Sequence, residues 1–415
     1  MPFLASPILK AYNYFMKKVL VPFLILFLMG VATVIVILIA KGYQFGIISG
    51  KPAISGTGLL VATSNPDGAQ VFVNGHLTTA TNNTINLFPG TYDIKIFKDG
   101  YFPWQKKMTV AKEVVAKATA TLFPIAPKLD SITQTGVISP AIDPTDTKLA
   151  YTVASQSAKK NGVYILDMNN RSILSLQSGA SQIVDDTTDT FSKATLAWSP
   201  DGKSILATIS VPGRITSYLL DTTTMNNSPK DVTETLSQVQ SEWNTLQTSK
   251  NQAQLTTLKP ELRTLITTNF SILAWSPDET KILYIASASA ILPKVIVPDL
   301  LGTNSTPQER TLVQGQVYVY DIKEDRNYKI LDSIQPQSPK SQMPLFWYAD
   351  SLHLTYVHNN QISLEEYDAQ NPTIVYAGPF MDTFVFPWPT ADKIVILTNL
   401  NNPDITPNLY TVELK

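Results

Sequence analysis

Leu196-Ala197-Trp198-Ser199-Pro200-Asp201-Gly202-Lys203-Ser204-Ile205-Leu206 decides the fold, because it returns as Leu273-Ala274-Trp275-Ser276-Pro277-Asp278-Glu279-Thr280-Lys281-Ile282-Leu283. Each copy is an apolar strand, a Pro-Asp turn and a second apolar strand. Such a unit cannot bury both of its own faces, so repetition implies sheets stacked around a common axis. The sequence therefore predicts a β-propeller over most of the chain.

Outward from that stretch, five copies align on an apolar or aromatic anchor. Ile142 leads to Leu149, Trp198 to Ile205, Trp275 to Ile282 and Trp347 to Leu354 at a spacing of seven, and Phe386 leads to Ile394 with one residue more. A third strand ending in an acid follows each, at 163–167, 217–221, 317–321, 362–368 and 409–413. Fourth strands are expected at 172–174, 328–331 and 373–376. The last copy lacks a fourth strand, and an open edge exposes unpaired backbone. Leu129-Asp130-Ser131-Ile132-Thr133 is expected to complete it. Residues 177–196 stay unassigned, which leaves the count at five or six blades.

In Ser-Pro-Asp-Gly, Pro presets φ for the turn, Asp bonds its own backbone and Gly takes positive φ. Pro200, Asp201 and Gly202, with Pro277 and Asp278, are read as turn formers, not as metal ligands. Trp198, Trp275 and Trp347 are read as core between blades. The Trp198–Gly202 pattern resembles the WD40-like repeats of TolB-type propellers over about residues 129–415.

Two insertions break the repeat. Asp231-Val232-Thr233-Glu234 has capping-box spacing, and Val232, Leu236, Val239, Trp243 and Leu246 recur every three or four residues, predicting an amphipathic helix. Pro260 opens a second helix with Leu262, Leu265 and Ile266 on one side. This hairpin, about 230–268, is expected to fold against the propeller's flank or rim and to be its best partner contact, Trp243 included. Residues 290–315 carry Pro293, Pro298 and Pro307 and read as a long loop on the third blade.

Ahead of the propeller, residues 56–124 show short alternating strands. Asn74-Gly75 is a strong hairpin signal, since both positions need positive φ. Pro66-Asp67-Gly68-Ala69, followed by Val71, Val73, Asn74-Gly75, Pro89-Gly90-Thr91-Tyr92 and Gly100-Tyr101, resembles a PEGA domain, with Asp67 in place of the family's Glu. The resemblance implies a small β-sandwich of surface-exposed envelope proteins with no catalytic residues to carry over. Tyr101, Phe102 and Trp104 form an aromatic cluster, read either as packing or as a stacking platform for a sugar ring.

Val19 to Ala40 runs 22 residues without a charge. As a helix it would be about 33 Å long, enough to cross a bilayer core. Lys10, Lys17 and Lys18 precede it, so the positive-inside rule puts residues 1–18 in the cytoplasm and the domains beyond the 41–55 linker outside. A signal sequence and a buried core helix are the alternatives. The expected fold class is thus an all-β extracytoplasmic region, small β-sandwich plus five- or six-bladed propeller (125–415) with a helical hairpin insertion, after one N-terminal transmembrane helix.

Composition narrows the function. Lys plus Arg number 32 against 33 Asp plus Glu, which makes no electrostatic case for nucleic acid. There is no Cys, which removes disulfides, thiol catalysis and Cys-ligated metals. The three histidines include His353 and His358, five apart and so on opposite faces of a strand. The expectation is a non-enzymatic, membrane-anchored envelope protein without cofactor or metal. Its propeller would bind an envelope protein or a cell-wall glycan, with the PEGA-like domain as spacer or second module. A sensor working through a membrane partner and a hydrolase using carboxylates are the alternatives; the oligomeric state stays open.

Overall fold

The computed structural model describes residues 20–40, 43–48, 51–169, 179–334 and 344–415. Helix α1 spans Val21–Ala40. Its large apolar side chains are exposed, and it is the one helix among the described residues long and apolar enough to cross a membrane. Lys10, Lys17, Lys18 and Lys41 lie outside the described residues. Tyr43–Ile48 and Lys51–Gly56 pair as an antiparallel hairpin.

The remaining chain divides into two compact units. The first takes residues up to Ile96, then Lys107–Ala120 and Leu301–Ser305; the second takes Phe97–Lys106, Thr121–Leu300 and Thr306–Lys415. A three-stranded sheet, Asn83–Leu87, Gly58–Asn65 and Val115–Thr121, accompanies a four-stranded one, His76–Ala80, Gln70–Val73, Gly90–Phe97 and Trp104–Val110. Alternate residues are buried along these strands, as Leu60 and Ala62, Val71 and Val73, and Ile94 and Ile96. That period of two is what one apolar face requires. Asn74 and Gly75 sit at φ 50° and 80°, the turn their sequence predicted.

The second unit contains five four-stranded antiparallel sheets. Blade 1 is Ile138–Ile142, Lys148–Val153, Gly162–Asp167 and Ala180–Asp185. Blade 2 is Thr195–Trp198, Ser204–Val211, Arg214–Asp221 and Lys230–Asp231. Blade 3 is Phe270–Trp275, Lys281–Ala286, Val317–Asp321 and Arg326–Leu331. Blade 4 is Leu345–Trp347, His353–His358, Gln361–Glu366 and Thr373–Ala377. Blade 5 is Val385–Pro387, Lys393–Thr398 and Asn408–Glu413, completed by Leu129–Ser131.

The expected closure is present, with Leu129, Asp130 and Ser131 paired to Val412, Thr411 and Tyr410. The strand expected at 172–174 lies outside the described residues. Blade 1 takes a strand from Ala180–Asp185 as its fourth, and the rest of the described stretch that left room for a sixth blade leads through a short helical turn at Phe191–Lys193 into blade 2.

Apolar clusters show how the blades meet. Ile165 of blade 1 packs with Ile205 and Ala207 of blade 2, Leu283 and Val319 of blade 3 with Trp347 and Leu354 of blade 4, Leu364 of blade 4 with Ile394 of blade 5, and Val395 of blade 5 with Leu149 of blade 1. Blades 2 and 3 share no such cluster among the described residues. The free face of blade 2, at Leu206 and Leu219, packs on Val239 of helix α2 (Leu236–Thr256) and on Val232. The free face of blade 3, at Ile282, Tyr284 and Tyr318, packs on Leu262, Leu265 and Ile266 of helix α3 (Pro260–Asn269). The helical hairpin is therefore a wedge between two blades, not a flank or rim decoration.

The start of α2 also departs from expectation. Asp231 is paired with Tyr218 at a sheet edge, and its carboxylate accepts the Thr233 N–H at 2.8 Å and hydroxyl at 2.6 Å. The capping box does not form, and the helix begins after Thr235 with no side-chain cap. Pro260 opens α3 as expected.

Candidate functional site

The repeat motif resolves into turn chemistry. Ser199 Oγ donates to Asp201 Oδ1 at 2.7 Å and accepts the Ser204 N–H at 3.0 Å. Ser276 Oγ repeats this with Asp278 Oδ1 at 2.7 Å and the Lys281 N–H at 2.9 Å. The Ser199 hydroxyl holds the Asp201 carboxyl below its usual value. For Asp278 burial acts upward, but bonds from Ser276 and Thr280 outweigh it and the net shift is down. Both carboxylates are consumed locally. Gly202 supplies φ 69° beside Pro200, and Glu279 takes the same role beside Pro277 at φ 55°.

The anchors join blades through polar atoms too. Trp198 Nε1 donates to the Ala141 carbonyl of blade 1 at 3.0 Å, and Trp347 Nε1 to the Ala274 carbonyl of blade 3 at 3.4 Å. Trp275 instead packs partly buried in the cluster with α3, as the wedge requires.

The aromatic cluster leads to an ionic node that the sequence does not announce. Trp104 is buried and its indole N–H donates to Glu366 Oε1, which removes it as a stacking platform. Lys106 Nζ lies 2.8 Å from Glu366 Oε2 and also bonds Asp368 Oδ2. Thr306 Oγ1 donates to Asp368 at 2.6 Å, and Asn371 Oδ1 accepts the Gln105 N–H at 2.9 Å. Burial alone would lower the Lys106 pKa; Glu366 and Asp368 outweigh it and the net shift is upward. Phe102 packs partly buried against the cluster of blades 4 and 5, and Tyr101 forms an isolated bridge with Pro124.

Beside the node, Asp350 Oδ2 meets His353 Nδ1 at 2.7 Å, and Phe123 stands edge-on to the imidazole at 5.3 Å. Burial lowers the His353 pKa, but Asp350 chiefly, with Glu366 and Asp368, raises it overall. His358 faces solvent, as the spacing predicted. Glu365 is pushed up to about 7, first by burial and then by Asp368. Among the described residues no three His, Asp or Glu side chains form a group able to hold a metal.

A second arrangement gathers both insertions. Leu292, Leu312 and Val295 of the blade 3 loop pack with Leu258, Leu262 and Leu265, so the helical hairpin and the 290–315 loop share one apolar cluster. The loop also contains a short strand pair, Ala290–Ile291 with Thr311–Leu312. Asp325 pins it. Its Oδ2 accepts the N–H of Val295 at 2.6 Å and of Ile296 at 2.9 Å, while Oδ1 accepts Arg310 Nη2 at 2.6 Å and the Tyr320 hydroxyl at 2.7 Å. Held this way, the loop exposes Ile291 and Val297 at 77% each, with Leu300 and Val313 at 45% each. Trp243 lies partly buried against blade 2.

Strand order and closure thus define a five-bladed β-propeller preceded by a small β-sandwich. Residues 57–125 match the PEGA domain model, so the sandwich is a PEGA domain. No curated protein matches the chain. Among solved structures, putative TolB from Agrobacterium tumefaciens is 15% identical, with 66% of this chain and 78% of that chain covered and a TM-score of 0.22. TolB from Acinetobacter baumannii is 15% identical, covering 78% of this chain and 60% of that one, with a TM-score of 0.22. The β-propeller domain of the Trilobed protease from Pyrococcus furiosus is 12% identical, covering 86% and 94%, with a TM-score of 0.21. The blade count rests on the strand order, independently of these likenesses.

Proposed function

We propose that this is a non-enzymatic, membrane-anchored envelope protein of a prokaryote whose propeller presents a protein-binding surface. Helix α1 would be the anchor, the N-terminus cytoplasmic and both units extracytoplasmic, with the PEGA domain as spacer. One observation carries the choice of surface: Asp325 holds a loop in place whose Ile291, Val297, Leu300 and Val313 face solvent. Exposed aliphatic side chains carried on a pinned loop suit a protein partner. Sugar rings stack on aromatic faces, and the aromatic residue best suited to that, Trp104, is buried. The acids of blade 4 speak for structure over catalysis, since Glu366 and Asp368 are bonded by Lys106, Trp104 and Thr306.

The test is site-specific photo-cross-linking of the full chain in its own membranes. A photoreactive residue at 297 should yield a discrete protein adduct that Ile291→Lys removes, while a probe at Lys117, on an exposed face of the sandwich, should not yield it. Absence of that adduct, or retention on purified wall glycan that depends on Val297, would overturn the reading. Protease accessibility of both units from outside the cell tests the topology separately.

A further inference from the structure

The chain has no cysteine to make a disulfide, yet its second unit holds another pair of side chains that chemistry can join. Lys106 and Asp368 are bonded to each other, with side chains 10% and 0% exposed. An amine and a carboxyl in contact need only lose water to become an amide. In solution, charge and entropy prevent this: an ammonium has no lone pair, a carboxylate has no leaving group, and the two must first be brought together. The fold acts on both barriers. Fixed contact removes the entropic part, and burial disfavours the charged forms. Glu366 and Asp368 keep the Lys106 ammonium charged at rest, while burial, the largest single influence on it, works toward the neutral amine.

A third group completes the set. Glu366 Oε2 lies 2.8 Å from Lys106 Nζ. Its other oxygen accepts the Trp104 indole N–H and the Asn371 amide at 3.2 Å, so the carboxylate is held against the amine. It is placed to take a proton from nitrogen and return it to a departing hydroxyl. Thr306 Oγ1 donates to Asp368 Oδ2 at 2.6 Å and draws electron density from the carboxyl carbon. Trp104 and Tyr328, both buried, keep water from the group, Tyr328 within reach of the Asp368 charge.

We propose that Lys106 and Asp368 form an intramolecular isopeptide bond, with Glu366 as the proton carrier. One proton of the ammonium moves to the Asp368 carboxylate, giving amine and acid. The nitrogen lone pair then forms the bond to Asp368 Cγ. Glu366 takes a second proton from nitrogen and delivers it to the hydroxyl, which leaves as water with the electron pair of the broken C–O bond. The amide keeps one N–H, Glu366 ends as it began, and nothing is oxidised or reduced. Two buried opposite charges disappear, and the Phe97–Lys106 segment is joined to blade 4 within the second unit. The proposal is independent of the Val297 loop.

Intact-mass measurement of the full chain, purified from membranes in detergent, tests it. Wild type should fall one water short of the mass its sequence requires. Lys106→Arg, which keeps the positive charge, and Asp368→Ala should show the full mass. Trypsin, blocked at an acylated Lys106, should release residues 99–107 joined to residues 341–393. Glu366→Gln should slow bond formation about a hundredfold. Full mass in wild type, a water lost equally by Lys106→Arg, or a branch at any acid other than Asp368 would overturn the proposal. The first of these needs no variant, so misfolding of a mutant cannot blur it. Val297→Lys should leave the bond intact, which separates this result from the loop reading.

Discussion

Asp146, Gly202, Glu279, Ser351 and Ala391 occupy the same turn in the five blades, and all have positive φ, between 50° and 69°. Only blade 2 uses glycine there. Left-handed backbone costs an L-residue about 1–2 kcal/mol, so Gly202→Ala should destabilise by about that amount. Glu279→Gly should stabilise by up to about 1 kcal/mol, less the exposed bond that Gln254 donates to Glu279. Urea unfolding of both variants checks the opposite signs. Titration is a second matter at this scale. His353 has a raised pKa in the fold, so its contribution is full below its ordinary value and lost as pH rises through the raised one. Glu365 acts in the same direction: with its carboxyl raised from 4.5 to about 7, the fold favours the protonated acid and loses stability across that interval. Asp350, held low, has the opposite sign and loses its contribution only as pH falls through its depressed value. Glu365→Gln should flatten the stability profile between pH 4.5 and 7 and melt higher than wild type at pH 8. An unchanged profile would show that Glu365 is not held protonated.

Elements were legible where pattern and packing coincide. The Trp-Ser-Pro-Asp turns and the third strands are where periodicity put them, because their strands bury both faces, each against a neighbouring blade or the helical hairpin. The helix start was not, because Asp231 found sheet-edge and Thr233 partners that a spacing rule cannot foresee. No local signal announces that Leu292 and Leu265, 27 residues apart across blade 3's first two strands, meet in one cluster. Lys106 shows the same limit, since its partners Glu366 and Asp368 are some 260 residues away. Asp325 is the element-scale test. It is buried with Arg310 and serves two backbone N–H groups, and removing one member of such a pair costs about 3–5 kcal/mol. Asp325→Ala should therefore lower stability by that order in denaturant and speed amide exchange at Val295 and Ile296.

Across the whole propeller, the ring has two unlike joints. One is the strand pair of Leu129–Ser131 with Asn408–Glu413; the other is the helical wedge between blades 2 and 3. Excising 230–268 would strip apolar cover from the facing sides of both blades, so function is better probed by point changes. The closing joint can be tested directly. Ile132 N–H donates to the Leu409 carbonyl at 2.8 Å. Ile132→Pro removes that donor and should lower the melting temperature while blades 1 and 5 lose amide protection together and blade 3 keeps it. Loss confined to residues 129–133 would mean the ring holds without its seam.

The position of that seam has a mechanical consequence. Leu129–Ser131 is the first strand after the PEGA domain along the chain, and it is bonded to Asn408–Glu413 of blade 5. A pull arriving from the N-terminal side is met first by the Trp104 and Lys106 bonds to Glu366 and Asp368 of blade 4 and then by these three residues. Once those bonds give way, the propeller would yield by unzipping at its seam, ahead of rupture within a sheet.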